Sequence, residues 1–319
     1  MSLLDLENVK TVAVIGGGTI GASWSAWFLA QGFTVRCSDP SSAARDAAPG
    51  LVAACWPQLS ALGASGSAQE ALARFSIWES HLQAVEGADY VQENAPERLE
   101  LKQRLLSEID AALPADRVIG SSTSGLKASD MQTGMTHPER LVVAHPFNPP
   151  HLIPLVEIVG GKQTSEEAAD WAVAFFNAHG KRAIQVRREV PGHIANRLQA
   201  ALWKEAAYLV QSGVASVEDV DLAISEGPGL RWAIMGPHLT FHLGGGTGGM
   251  AHFYDHLVPA MQTWWADLGT PTMDAALREQ LVDGVTQEVG DRSIADLAAE
   301  RDRKLIDILN VLSPAAKRS

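Results

Sequence analysis

His145 and Glu157 are the side chains in this sequence best suited to moving a proton. His145 ends one apolar run, and Glu157 lies in the next. An imidazole titrates near neutral pH and is the natural group to take a proton from a secondary hydroxyl. A carboxylate bonded to its other ring nitrogen fixes the tautomer and stabilises the imidazolium that forms. Because a lone histidine at a strand end is usually structural, the pair alone leaves both interpretations open.

A glycine-rich turn near the start of the chain predicts a dinucleotide site. Gly16 permits a tight turn, Gly18 lets the backbone approach a pyrophosphate, and Gly21 allows close packing of helix on strand. The helix that starts here, with Thr19 and Ile20 in its first turn, presents free N–H groups to phosphates.

Asp39 predicts which dinucleotide binds. It closes the second predicted strand of the same βαβ unit. Its carboxylate is placed to bond both hydroxyls of the adenine ribose and to repel a 2′-phosphate, which selects NAD over NADP. The alternative is a glycine-rich turn followed by an unrelated surface aspartate.

The elements that would position these residues alternate between strand and helix. Short β-rich runs separated by amphipathic helices predict an α/β fold with a Rossmann-type, mostly parallel sheet. The predicted strands are 11–15, 34–38, 88–92, 118–121, 141–144, 155–159 and 183–186, and the clearest helices are 20–31, 97–113 and 165–179.

The pattern becomes helical near Val190. Pro191 and Gly192 are typical of a helix start, and this helix is predicted to run to about Ser212. Ser216 is placed as the N-cap of the next helix, and amphipathic patterns continue over 250–268, 273–288 and 294–311. We therefore expect an NAD-binding domain over residues 1–189 and an all-α domain for substrate binding and dimerisation over residues 190–319.

Composition limits the partners. Of 319 residues, 46% are hydrophobic and 19% charged, which supports a packed core, and the formal net charge of −12 argues against nucleic acid or an anionic membrane. There is no apolar run long enough to span a membrane and no secretory signal pattern, so a cytoplasmic protein is expected. Cys37 and Cys55 fall inside a predicted strand and a predicted helix, which gives no support for a disulfide.

An ordered series of motifs resembles the L-3-hydroxyacyl-CoA dehydrogenase superfamily over nearly the whole chain. The resemblance implies NAD as cofactor, with Glu97 and Lys102 near the nicotinamide ribose. The matching pieces are residues 16–21, 93–97, 101–102, 121–126, 145–150, 155–157 and 192–197.

The same resemblance implies a catalytic set. His145 is then the general base and Glu157 its orienting partner, while Ser124 and Asn196 bond the reacting oxygen. A hydroxyl and an amide are able to hold that oxygen in both its alcohol and carbonyl states. The implied activity is interconversion of 3-hydroxy and 3-oxo forms of a substrate.

The substrate is expected to be a small free acid. Residues 40–75 contain only Arg45 and Arg74 as cations, too few for the phosphates of coenzyme A. Residues 227–237, 244–250 and 252–253 look like the L-carnitine dehydrogenase branch, of which the L-gulonate 3-dehydrogenase (lambda-crystallin) branch is a near relative.

Three residues of the second domain are candidates for substrate binding. Arg231 is suited to pair with a carboxylate, and Trp232 and Phe253 are suited to surround a quaternary ammonium. The alternative is that the aromatic rings pack helices and the arginine forms an ion pair. Histidine pairs at helical spacing occur nearby, but hydride transfer needs no metal, and none is expected.

Two other functions stay open at this stage. One is oxidation of an acyl-CoA, and the other is a non-catalytic, NADH-binding structural protein. A homodimer is expected, because the helical domain is apolar and rich in tryptophan.

Overall fold

An eight-stranded sheet organises the first part of the protein. The structure, a computed structural model, describes residues 2–312. The sheet order is β3-β2-β1-β4-β5-β6-β7-β8, and neighbouring strands are parallel except for the antiparallel pair β6 and β7. The strands are β1 (Thr11–Ile15), β2 (Thr34–Ser38), β3 (Phe75–Trp78), β4 (Tyr90–Glu93), β5 (Ile119–Ser121), β6 (Leu141–Pro146), β7 (Leu155–Gly160) and β8 (Arg182–Val186).

Eight α-helices accompany the sheet in the first part of the described chain. Alternate residues of β1 belong to two different apolar clusters: Val12 and Val14 to one, Ala13 and Ile15 to the other. Side chains along a strand point to opposite faces in turn, so helices cover both faces of the sheet. The helices are α1 (Thr19–Ala30), α2 (Ser42–Ala54), α3 (Trp56–Ala61), α4 (Ala68–Leu72), α5 (His81–Val85), α6 (Leu99–Ala112), α7 (Ala128–Met131) and α8 (Glu166–Ala178).

The rest of the described chain is helical. The molecule divides into two units between Arg197 and Leu198. Residues 198–312 contain no strand, and Ser216 caps α10 with a capping box, as predicted. The helices are α9 (Ala195–Gln211), α10 (Val217–Ser225), α11 (Pro228–Trp232), α12 (Pro237–Gly244), α13 (Gly249–Asp267), α14 (Ala275–Val289) and α15 (Ile294–Leu312), and 3-10 turns occur at Leu6–Asn8, Pro138–Arg140 and Gly246–Gly248. The predicted fold class is confirmed, while the domain boundary at residue 189 stays a prediction.

Three local features differ from the sequence-based expectation. Strand β3 is not predicted from the sequence, because all four of its residues are half-buried and show neither alternation nor a continuous buried run. Cys55 lies between α2 and α3 rather than inside a helix. Helix α9 begins at Ala195, several residues after the predicted start at Pro191.

Two negative findings apply to residues 2–312. Neither cysteine forms a disulfide. No helix in this range is long and apolar enough to cross a membrane.

Candidate active site

The antiparallel pairing of β6 with β7 sets His145 opposite Glu157. The two residues are partners in the ladder, and directly opposed residues of an antiparallel pair project to the same face of the sheet. Nδ1 of His145 lies 3.0 Å from Oε2 of Glu157. His145 is 3% exposed and Glu157 is completely buried. The predicted pair is thus hydrogen-bonded in the structure.

The second carboxylate oxygen of Glu157 binds the start of α9. Oε1 accepts the backbone N–H groups of Ile194 and Ala195, at 2.9 and 3.0 Å. Burial opposes ionisation of this carboxyl group, but the bonds from His145 and from the two amides outweigh burial and hold the pKa of Glu157 below its ordinary value. An ionised carboxylate only accepts, so Nδ1 of His145 carries the proton. Nε2 of His145 is then left as a base.

Ser124 and Asn196, the other two predicted catalytic residues, contact each other. Ser124 follows β5 and is exposed, and its backbone N–H donates to Oε1 of Glu97 at 3.1 Å. Nδ2 of Asn196 donates to the carbonyl oxygen of Ser124 at 3.4 Å. Asn196 is in the first turn of α9, directly after the amides that bind Glu157. The structure therefore groups all four predicted catalytic residues in the first unit.

Glu97 and Lys102 have different environments. Lys102 is buried, and its Nζ donates to both carboxylate oxygens of Glu93, at 2.8 and 2.9 Å, and to the Ala95 carbonyl. Glu97 is half-exposed, and its Oε1 also accepts the Thr123 hydroxyl at 2.5 Å. Burial opposes ionisation of Glu97, but the Thr123 hydroxyl and the charge of Lys102 outweigh it and lower its pKa. Lys102 thus supports the Glu93 and Ala95 segment from within the fold.

The glycine turn fits a dinucleotide. Gly16 has a φ of +100°, and a Cβ on Gly21 would lie 1.8 Å from the Gly16 carbonyl oxygen, so both positions require glycine. A Cβ on Gly18 would meet nothing within 4 Å. Helix α1 has no side-chain cap, so the N–H groups of its first turn, which includes Thr19 and Ile20, remain for phosphate oxygens.

Asp39 lies directly beside the glycine turn. Its two carboxylate oxygens accept the backbone N–H groups of Gly17 and Ser41, each at 2.9 Å. These bonds fix the carboxylate beside a cavity of about 520 Å³, which Gly16 and Gly18 also line. The arrangement fits an adenosine whose ribose hydroxyls donate to Asp39.

The two arginines of residues 40–75 are engaged within the fold. Nη1 of Arg45 donates to the carbonyl oxygens of Asp39 and Pro40. Arg74 donates to the carbonyl oxygens of Phe33 and Leu29. Both guanidinium groups therefore tie backbone segments together.

The three predicted substrate residues of the second unit differ in exposure. Arg231 is exposed at the end of α11, and Trp232 is 40% exposed. Phe253 is buried and stacks on Phe241, with ring centroids 4.6 Å apart. Phe253 thus packs α13 against α12, and the substrate roles of all three stay predictions.

His193 is a residue that sequence reasoning missed. Its ring centroid lies 5.1 Å from that of His145, and its Nε2 lies 3.3 Å from the Thr123 carbonyl oxygen. It occurs inside one of the family-like motifs, but nothing in the residue pattern singled it out from its neighbours.

Two family models match the chain. The 3-hydroxyacyl-CoA dehydrogenase, NAD binding domain, matches residues 11–190, and the 3-hydroxyacyl-CoA dehydrogenase, C-terminal domain, matches residues 192–270. Among similar proteins, an L-carnitine dehydrogenase of Streptomyces griseus is 53% identical over 95% of this chain and 90% of its own length. An L-carnitine dehydrogenase of a Pseudomonas species is 46% identical over 96% of this chain and 95% of its own length.

A similar solved structure extends the likeness to the fold. A 5-formyl-3-hydroxy-2-methylpyridine 4-carboxylic acid 5-dehydrogenase, described as an NAD⁺-dependent dismutase, superimposes with a TM-score of 0.81. It is 28% identical and covers 95% of this chain and 98% of its own.

Proposed function

Since the chain belongs to the 3-hydroxyacyl-CoA dehydrogenase family, whose members are NAD-dependent oxidoreductases of CH–OH groups, we propose that it interconverts L-carnitine and its 3-oxo form. The observation that carries the proposal is similarity to L-carnitine dehydrogenases along nearly the full length of both chains. The hydrogen-bonded His145 and Glu157 supply the proton-transfer groups that such a reaction needs.

The proton is taken by His145. Its Nε2 receives the proton of the substrate hydroxyl, while Nδ1–H stays bonded to Glu157. The ionised Glu157 stabilises the imidazolium that results, and the amides of Ile194 and Ala195 keep the carboxylate in place. The glycine turn and Asp39 would hold NAD, which would supply the acceptor for the hydride of the carbinol carbon.

The reacting oxygen is held by Ser124 and Asn196. A hydroxyl donates or accepts and an amide does both, so these groups suit an oxygen that changes from alcohol to carbonyl. The turn that carries Ser124 is fixed by the Glu97 carboxylate, which accepts the N–H groups of Ser124 and Gly125. Glu97 thereby supports the substrate side of the site.

A free acid is favoured over a coenzyme A thioester. The family name points to acyl-CoA as a second candidate. However, Arg45 and Arg74 already donate to backbone carbonyls, which leaves fewer of their N–H groups for the phosphates of coenzyme A.

The charges of carnitine suit residues of the helical unit. Arg231 is proposed to pair with the substrate carboxylate, and the exposed ring of Trp232 to contact its trimethylammonium group. Phe253 is proposed to act indirectly, by supporting α12 through its stack on Phe241.

A panel of substrates tests the proposal. The purified protein with NAD⁺ is expected to form NADH with L-carnitine, and more slowly or not at all with D-carnitine, L-gulonate, 3-hydroxybutyrate and 3-hydroxybutyryl-CoA. No NADH with L-carnitine would reject the proposal. Faster turnover of 3-hydroxybutyryl-CoA would establish the second candidate, and inactivity towards the whole panel would favour a non-catalytic, NADH-binding protein.

We also propose that the protein forms a homodimer through its helical unit. Large apolar side chains are exposed there, among them Leu198, Trp203, Trp264 and Trp265, each more than half exposed. Apolar surface of this extent is typical of an interface.

We propose the cytoplasm as the site of action. Cys37 and Cys55 form no disulfide, as expected in a reducing compartment. Fractionation of cells that make the protein tests this, and recovery in an extracellular or membrane fraction would contradict it.

A further inference from the structure

His193 combines two features that are unfavourable in a purely structural residue. Its backbone φ is +51°, and within residues 2–312 it is the one residue other than glycine with a positive φ. Its side chain is 2% exposed, and its buried Nδ1 has no hydrogen-bond partner. Strained backbone and unpaired buried polar atoms concentrate at functional sites, where the surroundings hold them in place.

The contacts of His193 fix its tautomer. Nε2 faces the Thr123 carbonyl oxygen at 3.3 Å, and a carbonyl only accepts, so Nε2 carries the hydrogen. If Nδ1 were also protonated, it would be a buried donor without an acceptor, next to the ring of His145. The geometry therefore selects the neutral imidazole.

The charged groups around the ring act in both directions. Burial is the main influence on His193 and lowers its pKa, and the neighbouring His145 acts in the same direction. The Thr123 carbonyl and the carboxylates of Glu157 and Glu97 oppose this shift without reversing it. The electrostatics agree with the neutral form that the hydrogen bond requires.

His193 connects the two segments that carry the rest of the site. On one side it bonds Thr123, whose next residue is Ser124 and whose hydroxyl donates to Glu97. On the other side, the next two residues along the chain are Ile194 and Ala195, whose amides bind Glu157.

We propose that His193, as a neutral Nε2–H imidazole, is a positioning residue that fixes the Ser124 turn and the start of α9 relative to His145. Its hydrogen bond, rather than its bulk, is the property that the site needs. The inference rests on the proposed dehydrogenase function.

Two substitutions separate the hydrogen bond from the bulk. His193→Gln retains a side-chain N–H donor, whereas His193→Phe keeps a flat ring without one. Both variants must adopt the same positive φ, so backbone strain does not distinguish them. We expect His193→Gln to keep kcat within about threefold of the wild type, and His193→Phe to lower kcat about tenfold or more with KM for NAD⁺ nearly unchanged. Equal kcat values in the two variants, whether high or low, would overturn the proposal.

A measurement on the free protein tests the tautomer without any substrate. In protein labelled with ¹⁵N-histidine, the His193 signals are identified by their loss in His193→Gln. We expect the neutral Nε2–H form at pH 6.5, where an ordinary histidine is half protonated. A charged ring or an Nδ1–H tautomer would overturn the proposal. An inactive wild type with these signals intact would instead reject only the proposed function.

Discussion

The two oxygens of the Glu157 carboxylate have different partners, and together these contacts determine which nitrogen of His145 carries the proton. Oε2 holds the ring, and Oε1 holds the amides at the start of α9. Because both oxygens accept, the carboxylate stays ionised and the proton on Nδ1 stays in place. The nitrogen assigned to the proposed base, Nε2 of His145, is thus determined by the contact that Nδ1 makes with Glu157.

Replacing His145 tests the assignment of the base. His145→Gln is expected to lower kcat about 100-fold to 10,000-fold, because the amide does not take up a proton near neutral pH. NADH affinity, measured by fluorescence titration, should change less than about twofold. The half-exposed His137 provides a matched control: His137→Gln is expected to retain full activity. Wild-type turnover in His145→Gln would show that another group moves the proton.

Residue types alone identify some of these groups and not others. His145 and Glu157 stand out because each adjoins an apolar run and both belong to a recognisable series of motifs. His193 does not stand out, because its importance depends on a left-handed backbone and a contact with Thr123, seventy positions earlier in the chain. Neither property is encoded in local spacing.

At the scale of elements, Gly16, Gly18 and Gly21 of the first turn have different roles. Gly16 and Gly21 are needed by the fold itself, because added atoms would meet backbone. Gly18 has open space in the protein alone, so its requirement comes from whatever binds there.

Two alanine substitutions separate these roles. Gly21→Ala is expected to lower the free energy of unfolding by about 1–3 kcal/mol or more, because its Cβ collides with the Gly16 carbonyl. Gly18→Ala is expected to leave stability unchanged but weaken NADH binding by on the order of tenfold. Urea unfolding and fluorescence titration measure the two effects. Normal NADH affinity in Gly18→Ala would contradict the assigned phosphate site.

Lys181 links α1 to the segment that follows β6. Its Nζ donates to the carbonyl oxygens of Pro150 and Ile153 and lies over the rings of Trp24 and Trp27, at 5.3 and 4.9 Å. Burial lowers the pKa of Lys181 from its ordinary 10.5 to about 7.

This lysine predicts a pH dependence of stability. Between pH 7 and 10.5 the unfolded chain holds the Lys181 proton and the folded protein has released it, so this group makes the free energy of unfolding rise with pH. Below about pH 7 Lys181 is protonated in both states, so it adds no pH dependence to the free energy of unfolding there. Urea unfolding between pH 7 and 10.5 should show that the free energy of unfolding rises less with pH in Lys181→Met than in the wild type. The exposed Lys162 provides a control, because Lys162→Met is expected to leave this pH dependence unchanged. The same pH dependence in Lys181→Met as in Lys162→Met would refute the prediction.

Periodicity predicts most elements but not those that depend on distant partners. Seven strands are placed correctly to within a few residues, because buried β-rich runs are locally distinctive. The edge strand β3 is half-buried and gives no such signal. Helix α9 starts later than predicted. The amides at its start donate to Glu157, which lies on β7, and the sequence near Pro191 gives no sign of this contact.

At the scale of the whole molecule, the exposed apolar side chains of the helical unit are the basis of the proposed homodimer. Leu198, Leu202 and Trp203 are exposed on α9, and most of the buried apolar side chains belong to the first unit. The same helix carries Asn196 in its first turn. The proposed interface would therefore use the same helix that carries Asn196 of the candidate site.

The oligomeric state is directly measurable. Light scattering is expected to give twice the chain mass of 34.0 kDa. Trp203→Glu places a charge on the proposed interface and should weaken the dimer about thirtyfold or more. Leu82→Glu, at an exposed position of the first unit, is expected to leave the mass unchanged. A monomeric wild type would contradict the proposed homodimer.

The ladder that pairs His145 with Glu157 leaves residues 147–155 outside it. Because side chains alternate along a strand, a one-residue slip in the pairing of these two strands would turn one member of the pair to the opposite face of the sheet. Phe147, at the start of the connection, packs edge-on against the His145 ring. The proposed proton-transfer pair thus depends on how the two strands are aligned as much as on the identity of its two residues.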